Sequence, residues 1–235
     1  MTNALPIYKK ELRAYFTSPV AYIVITVFLL ICGWFFSNQL FLANQASLRN
    51  IFQIIPFILT FFVPAITMRL LSEERKSGTI ELLVTKPLTD TEIVLGKFLA
   101  AWALVGITLA PTLLYYVTVA SLGNIDHGPV IGGYLGLLLM AGVFVAISLF
   151  ASSLTENQVI AFIIAFGMVF AFFMLDKILP YVPEWLTTTV EFLGIDYHLG
   201  NIARGVIDSR DVVYFLSLLG FTLYLTVLSL ERRKW

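Results

Sequence analysis

The chain contains six long apolar stretches, and these constrain its fold more than any other feature of the sequence. A helix needs roughly 20 apolar residues to cross the hydrocarbon core of a bilayer. Membrane-spanning β-strands are shorter and alternate strictly between apolar and polar residues, which these stretches do not. The sequence therefore predicts an all-α polytopic membrane protein with six transmembrane helices, at residues 20–42, 51–70, 98–122, 130–152, 159–179 and 212–230.

The composition supports a bilayer as the surrounding solvent. Hydrophobic residues make up 59% of the chain and charged residues only 13%, whereas about a quarter of an ordinary soluble domain is charged. A globule of this size needs a more polar exterior than these residues can supply. The net charge of zero gives no indication of a nucleic-acid partner.

The distribution of lysine and arginine predicts the orientation, because cytoplasmic loops of membrane proteins carry an excess of both. If the N-terminus lies inside, the outer loops hold only Arg49, Lys177, Arg204 and Arg210. The remaining basic residues then lie on the cytoplasmic side: Lys9, Lys10, Arg13, Arg69, Arg75, Lys76, Lys86, Lys97, Arg232, Arg233 and Lys234. The sequence therefore predicts that both termini are cytoplasmic.

Two further segments are predicted to be helical without spanning the bilayer. Residues 4–16 place apolar side chains at helical spacing opposite Lys9, Lys10 and Arg13, which favours an interfacial helix, although packing on the protein itself gives the same pattern. Residues 180–210 connect the fifth and sixth spans and contain two apolar-patterned pieces. A structureless loop of that length is unusual, so short outer helices are expected there.

The chain lacks the residues that most membrane enzymes and proton-coupled carriers need. The centres of the predicted spans are uncharged, which argues against proton coupling; sodium coupling is less constrained, because backbone carbonyls can bind sodium. The histidines are His127, expected in a turn, and His198, expected on the surface of a short helix. Neither has the spacing of a metal site, and no phosphate-binding loop is present. We therefore expect no catalytic residues, no metal and no cofactor in this chain.

The densest polar stretch, residues 73–87, lies between the second and third predicted spans. Gly78 suits a positive φ that ends one helix, and Thr79 suits the N-cap of a short helix that stops before Pro87. Thr89 and Glu92 have the spacing of a capping box that opens the next long helix. A short amphipathic helix here could transmit force between two spans, or the stretch could be a solvated charged loop, and the residues alone leave both open.

Several motifs, in order, resemble the permeases of the ABC-2 transporter family. The first is residues 73–87 with Gly96-Lys97, which is similar to the family's coupling-helix segment. Three further segments resemble other parts of the same permeases: the N-terminal residues 10–19, the turn 152–158 and the segment 204–214 before the last span. Within the turn, Ser153…Glu156 and Thr155…Gln158 also have capping-box spacing. The resemblance covers nearly the whole chain, and it is strongest to the branch associated with gliding motility and nitrous oxide reductase maturation.

The resemblance implies a permease subunit that works with a separate ATPase. The expected ATPase-coupling interface comprises Glu73, Glu74, Arg75, Lys76, Gly78, Thr79, Glu81, Leu82 and Pro87, and the expected path-lining residues are Gln53, Phe57, Thr60, Phe61, Phe162, Phe166 and Phe170. ATP and magnesium are expected in the cytosolic ATPase subunit.

Other expected partners are an identical or related second permease subunit, a periplasmic or auxiliary membrane protein, and the lipid of the bacterial inner (plasma) membrane. In this interpretation the chain supports export of a substrate or its extraction from the membrane. An alternative of another class is a scaffold or assembly factor that anchors partners without transport. The scarcity of polar residues along the spans favours that alternative, although a lipid-like substrate would explain the same feature.

Overall fold

The computed structural model describes residues 4–42, 47–78, 88–123 and 125–232. Within these residues the protein is helical and contains no β-strand. The helices are α1 (Ala4–Thr17), α2 (Val20–Ser37), α3 (Arg49–Thr67), α4 (Arg69–Lys76), α5 (Asp90–Leu109), α6 (Leu113–Leu122), α7 (His127–Leu154), α8 (Gln158–Met174), α9 (Glu184–Leu193), α10 (Ile195–Ala203) and α11 (Ser209–Glu231).

Among the described residues, five helical segments are long and apolar enough to cross a membrane. They are α2 with its π-helical extension, α3 with α4, α5 with α6, α7, and α11. The remaining predicted span corresponds to α8, which has 17 residues and so lies near the lower limit of roughly 17 for a spanning helix. The protein is therefore a polytopic helical membrane protein, and the sixth span stays a prediction.

The long helices run back and forth between two ends of the bundle. Close contacts bring the last turn of α3 and the start of α5 to α1, and the last turn of α7 to the residue that ends α3; we call this the α1 end. The start of α7 lies against the end of α10 at the other side, which we call the hairpin end, after α9 and α10.

Helix α7 is the centre of the bundle and contacts α3, α4, α5, α8, α10 and α11. Its inward positions include many small residues, such as Gly132, Gly136, Ala141 and Ala146, all of which are buried. Small residues allow helix backbones to approach closely, and such packing holds membrane helices together where the hydrophobic effect contributes little. The outer helices instead expose large apolar side chains, for example Trp34 on α2 and Phe221 on α11, as expected of surfaces that face lipid.

Helix boundaries follow local sequence signals, with one exception. The predicted capping box is present at α5, where Thr89 accepts from the backbone N–H of Glu92 and the Glu92 carboxylate accepts from that of Thr89. The capping boxes predicted in residues 153–158 were wrong: Asn157 caps α8 by accepting from the Val159 N–H at 2.9 Å. Asn157 lies directly before the first turn of α8, and its side chain takes the capping position there.

The hairpin end contains a buried histidine that the sequence placed wrongly. His198 was expected on the surface, but it is only 1% exposed. Its Nδ1 lies 2.6 Å from Oδ1 of Asp211 and its Nε2 lies 2.8 Å from the carbonyl oxygen of Phe192. The ring also stacks on Tyr214 with 3.9 Å between ring centroids. These contacts tie α10 to the start of α11.

We expect the close contact between α7 and α10 to depend on a glycine. A Cβ atom at Gly132 would lie 2.1 Å from the carbonyl oxygen of Ile202, so Gly132→Ala forces the helices apart and should cost about 1–3 kcal/mol of stability. Gly220→Ala is the matched control, because a Cβ atom there meets nothing within 4 Å. Thermal unfolding of the purified variants measures both, and equal unfolding temperatures for the two would contradict the packing argument.

Candidate functional site

A buried lysine joins three helices at the α1 end. Lys97 on α5 is 1% exposed. Its Nζ atom lies 3.0 Å from Oε1 of Glu11 on α1 and 2.8 Å from Oε1 of Glu74 on α4. An isolated ammonium group would be very costly to bury, so the nearby carboxylates are what make this position tolerable. Because Glu74 lies at the start of the predicted coupling loop, residues 73–87, the lysine connects that loop's base to α1 and α5.

The preceding glycine explains how α1 comes close enough. A Cβ atom at Gly96 would lie 2.7 Å from Cβ of Ile7 and 3.0 Å from the carbonyl oxygen of Ala4. Only a residue without a side chain allows this approach. In the pair Gly96-Lys97 the glycine therefore provides the close packing and the lysine provides the charge.

Tyr15 fixes α1 to the end of α3. Its side chain is 1% exposed, and its hydroxyl donates to the carbonyl oxygen of Ile66 at 3.1 Å. The guanidinium carbon of Arg69 lies 5.2 Å from the centre of the Tyr15 ring, which is within the usual range of a cation–π contact. Helix α1 thus packs on the protein along this face, and its placement in the membrane interface stays a prediction.

A serine of α7 holds the break between α3 and α4. The helical path is interrupted at Met68 rather than at Pro56 or Pro64, which both lie inside α3. The Ser152 hydroxyl donates to the Met68 carbonyl oxygen at 2.8 Å and accepts from the backbone N–H groups of Leu71 and Ser72, each at 3.1 Å. A fully used, buried hydroxyl of this kind sets the direction in which α4 leaves the bundle.

The four consecutive charged residues at the end of α4 divide into two pairs. Glu74 contacts Lys97, and Nη1 of Arg75 donates to the carbonyl oxygen of Ser153 at 2.8 Å. Glu73 and Lys76 are exposed. Of the expected coupling interface, α4 therefore presents Glu73 and Lys76 outward, while Glu74 and Arg75 hold α4 against α5 and α7.

Gly78 ends this part of the chain with the predicted positive φ, +68°. The rest of the predicted interface, Thr79, Glu81, Leu82 and Pro87, lies outside the described residues.

The predicted path residues of α3 lie on one face, with one exception. Gln53, Phe57 and Phe61 follow one another at a spacing of four residues and are all exposed. Thr60 points elsewhere: it is fully buried, and its hydroxyl donates to the Phe57 carbonyl oxygen at 2.6 Å. Within this chain, therefore, Thr60 does not share the exposed face.

The α8 residues of the predicted path continue this face as a row of stacked rings. Phe166 lies 4.6 Å from Phe61 across the two helices, and it also contacts Phe162 and Phe170, at 6.1 and 5.3 Å between ring centroids. Each of the three is partly exposed. Aromatic pairs at these distances add about 0.5–1.5 kcal/mol beyond burial. The two helices thus form one half-exposed aromatic surface, which we call the aromatic face.

The described part of the chain offers no metal site, since no three His, Cys, Asp or Glu side chains come together there. At the α1 end, buried polar contacts hold α1, α4 and α5 together at the base of the predicted coupling loop.

The model of the ABC-2 family transporter proteins matches residues 5–232. The chain therefore belongs to the ABC-2 transporter family, and its membrane domain is that of a permease subunit of an ABC transporter. Membership implies association with an ABC ATPase and with a membrane partner. A search of curated proteins found no match to this chain.

Sequence reasoning found Glu74, Gly96 and Lys97 through the family motif but missed what they do. It assigned Glu74 to a partner surface and gave no role to Glu11. Glu11 lies 86 residues from Lys97 along the chain, so no local spacing connects the two. His198 and Asp211 lie 13 residues apart, and no local spacing in the sequence connects these two either. The available signal was the placement of Gly96 directly before a lysine, since glycine inside a long helix often marks a close approach.

We expect Lys97→Met to destabilise the protein strongly. The substitution keeps the length of the side chain but leaves the carboxylates of Glu11 and Glu74 partly buried without their cation, and breaking a buried pair in this way costs about 3–5 kcal/mol. The matched control is Lys10→Met, because the Lys10 side chain is 68% exposed and lies 4.0 Å from Glu11, a contact worth about 0–1 kcal/mol. Thermal unfolding in detergent measures both changes.

The triple variant Lys97→Met, Glu11→Gln, Glu74→Gln tests the cause. Removing all three charges should recover part of the lost stability, because no uncompensated charge then remains buried. Loss of stability equal to or greater than that of Lys97→Met would show that uncompensated carboxylate charge is not the cause of the loss.

Proposed function

We propose that this permease couples ATP hydrolysis in a separate ATPase subunit to export of a substrate or its extraction from the membrane. The observation that carries the proposal is the contact of Lys97 with Glu11 and Glu74, at 3.0 and 2.8 Å. It links the base of the charged loop to α1 and α5, so a displacement of the loop by an ATPase moves these elements together. A solvated loop without such a base would move without displacing the spans.

In this proposal the working unit contains two permease subunits and two ATPase subunits, with ATP and magnesium in the latter. The second permease is identical or related, and it faces the aromatic face across the path. The protein lies in the bacterial inner membrane with six spans in this proposal. The distribution of basic residues favours both termini in the cytoplasm, which puts the α1 end inside. The resemblance to the gliding-motility-associated branch supports placement near that branch.

Copurification tests the proposal directly. The tagged chain is extracted from its native host in a mild detergent, and the proteins that accompany it are identified by mass spectrometry. A near-stoichiometric partner with a phosphate-binding loop is the expected result. If partners without that loop accompany the chain instead, the scaffold function becomes the better explanation.

We expect Glu81→Lys to release that ATPase. A reversed charge in the predicted coupling loop should weaken the complex by about tenfold or more, because like charges brought together within an interface cost several kcal/mol. The matched control is Glu184→Lys, which makes the same change at an exposed residue of the hairpin end. The ratio of ATPase to permease after washing at increasing salt measures both, and an unchanged ratio for Glu81→Lys would contradict its role.

A further inference from the structure

A cavity of about 580 Å³ lies at the hairpin end of the bundle, within the range of roughly 300–1,000 Å³ that small-molecule sites occupy. Three elements form its walls. They are the start of α3, residues 125–130 leading into α7, and helix α10 with the residue that follows it. The cavity is thus built by segments far apart in sequence, at the opposite end from the predicted coupling loop.

Two arginines supply the cavity with unneutralised positive charge. Arg49 and Arg204 both line it and are both exposed. Across the described parts of the chain, neither guanidinium group takes part in an ion pair or a side-chain hydrogen bond. Guanidinium groups have a planar set of donors that matches carboxylate and phosphate oxygens.

The carboxylates of the cavity are already engaged. Asp126 caps α7, because its Oδ1 atom accepts from the Gly128 N–H at 3.1 Å. Asp196 accepts from Nζ of Lys177 at 2.6 Å. At the start of α3 the Ser47 hydroxyl accepts from the backbone N–H of Arg49 at 3.2 Å, and the other N–H groups of the first turn add a partial positive charge beside the arginines. With Asp196 paired to Lys177, two arginines face the single carboxylate of Asp126, so the cavity favours an anion over a cation.

The inner walls of the cavity are apolar. Leu48, Phe52, Val130 and Leu199 line it and are each less than 9% exposed. A free inorganic anion would gain nothing from these side chains. A ligand with an anionic head and an apolar body satisfies both parts, with its head at the arginines and its body along these walls.

Gln53 connects the cavity to the aromatic face. It lines the cavity, and it is also the first of the exposed α3 residues that continue through Phe57 and Phe61. A molecule that slides along the aromatic face with an apolar chain therefore reaches the arginines at the hairpin end. This continuity distinguishes the cavity from an isolated surface depression.

We propose that this cavity binds an anionic amphiphile, a phosphate or carboxylate head attached to an apolar chain, and that such molecules are the substrate class of the transporter. The binding part of the proposal concerns this chain alone, and the substrate part rests on the proposed permease function. Arg49 and Arg204 hold the head, and the aromatic face accommodates the chain.

The binding test uses the full-length chain in detergent without any ATPase, so that its failure is distinguishable from failure of the coupling proposal. Phosphatidylglycerol is titrated into the delipidated protein, and bound lipid is counted by native mass spectrometry. The double variant Arg49→Gln, Arg204→Gln should bind the lipid about tenfold or more weakly, since each charged hydrogen bond contributes substantially to affinity. Diacylglycerol, which shares the chains but lacks the head, should bind weakly to both.

Two controls separate the cavity from general surface charge. Arg210→Gln removes an exposed arginine at the same end that does not line the cavity, and it should leave binding unchanged. Ala203→Phe fills the cavity without altering charge and should weaken binding, whereas Ala171→Phe makes the same change at an exposed position of α8 and should not. All variants are compared after size-exclusion chromatography, so that misfolded material is removed.

Three results would contradict the proposal. Equal weakening by Arg210→Gln and by the double variant would mean that the arginines attract lipid as surface cations only. Unchanged binding in Ala203→Phe would show that the cavity is not the site. Displacement of phosphatidylglycerol by an equal concentration of inorganic phosphate would show a site for a free anion, which contradicts the amphiphile.

Discussion

Lys97 carries a charge into a place where a charge alone would be very costly, and the arrangement of the α1 end follows from that cost. The carboxylates of Glu11 and Glu74 must lie within ion-pair distance of its ammonium group, which fixes α1 and α4 relative to α5. Gly96 makes this geometry accessible by removing the side chain that would keep α1 away. The hydroxyl of Ser152 and the ring of Tyr15 then hold neighbouring turns in place. The base of the charged loop is consequently rigid.

The rest of the bundle is held by shape more than by charge. Helix α7 approaches its neighbours closely through small residues such as Gly132 and Gly136, where a Cβ atom would overlap α10. In a bilayer the helices gain little from burying apolar surface against one another, so van der Waals packing of this kind dominates. At the hairpin end the contacts of His198 with Asp211 and with the Phe192 carbonyl add a polar connection between α10 and α11. Both ends of the molecule are therefore fixed by buried polar groups, and the middle is fixed by packing.

This division suits a permease of the ABC-2 family. A rigid junction at one end can transmit displacement, while the half-exposed aromatic face between α3 and α8 offers a surface without directional bonds along which an apolar molecule can slide. Hydrogen bonds and ion pairs would hold such a molecule at fixed points, whereas stacked rings do not. The arginines of the hairpin-end cavity provide the charge that the aromatic face lacks. In the proposed mechanism the junction at the α1 end moves, and the aromatic face and the hairpin-end cavity contact the substrate.

Most features that depend on neighbours in the chain were predictable from the sequence, apart from the cap of α8, whereas features that depend on helix arrangement were not. The long apolar runs indicated a helical membrane protein because span length and hydropathy are local properties. The capping box at Thr89 and the positive φ of Gly78 were predictable for the same reason. The partners of Lys97, the burial of His198 and the inward direction of Thr60 were decided only in the tertiary structure. Each depends on which helices lie side by side and at what rotation, and close packing of small residues across the whole bundle sets that arrangement rather than any spacing along the chain.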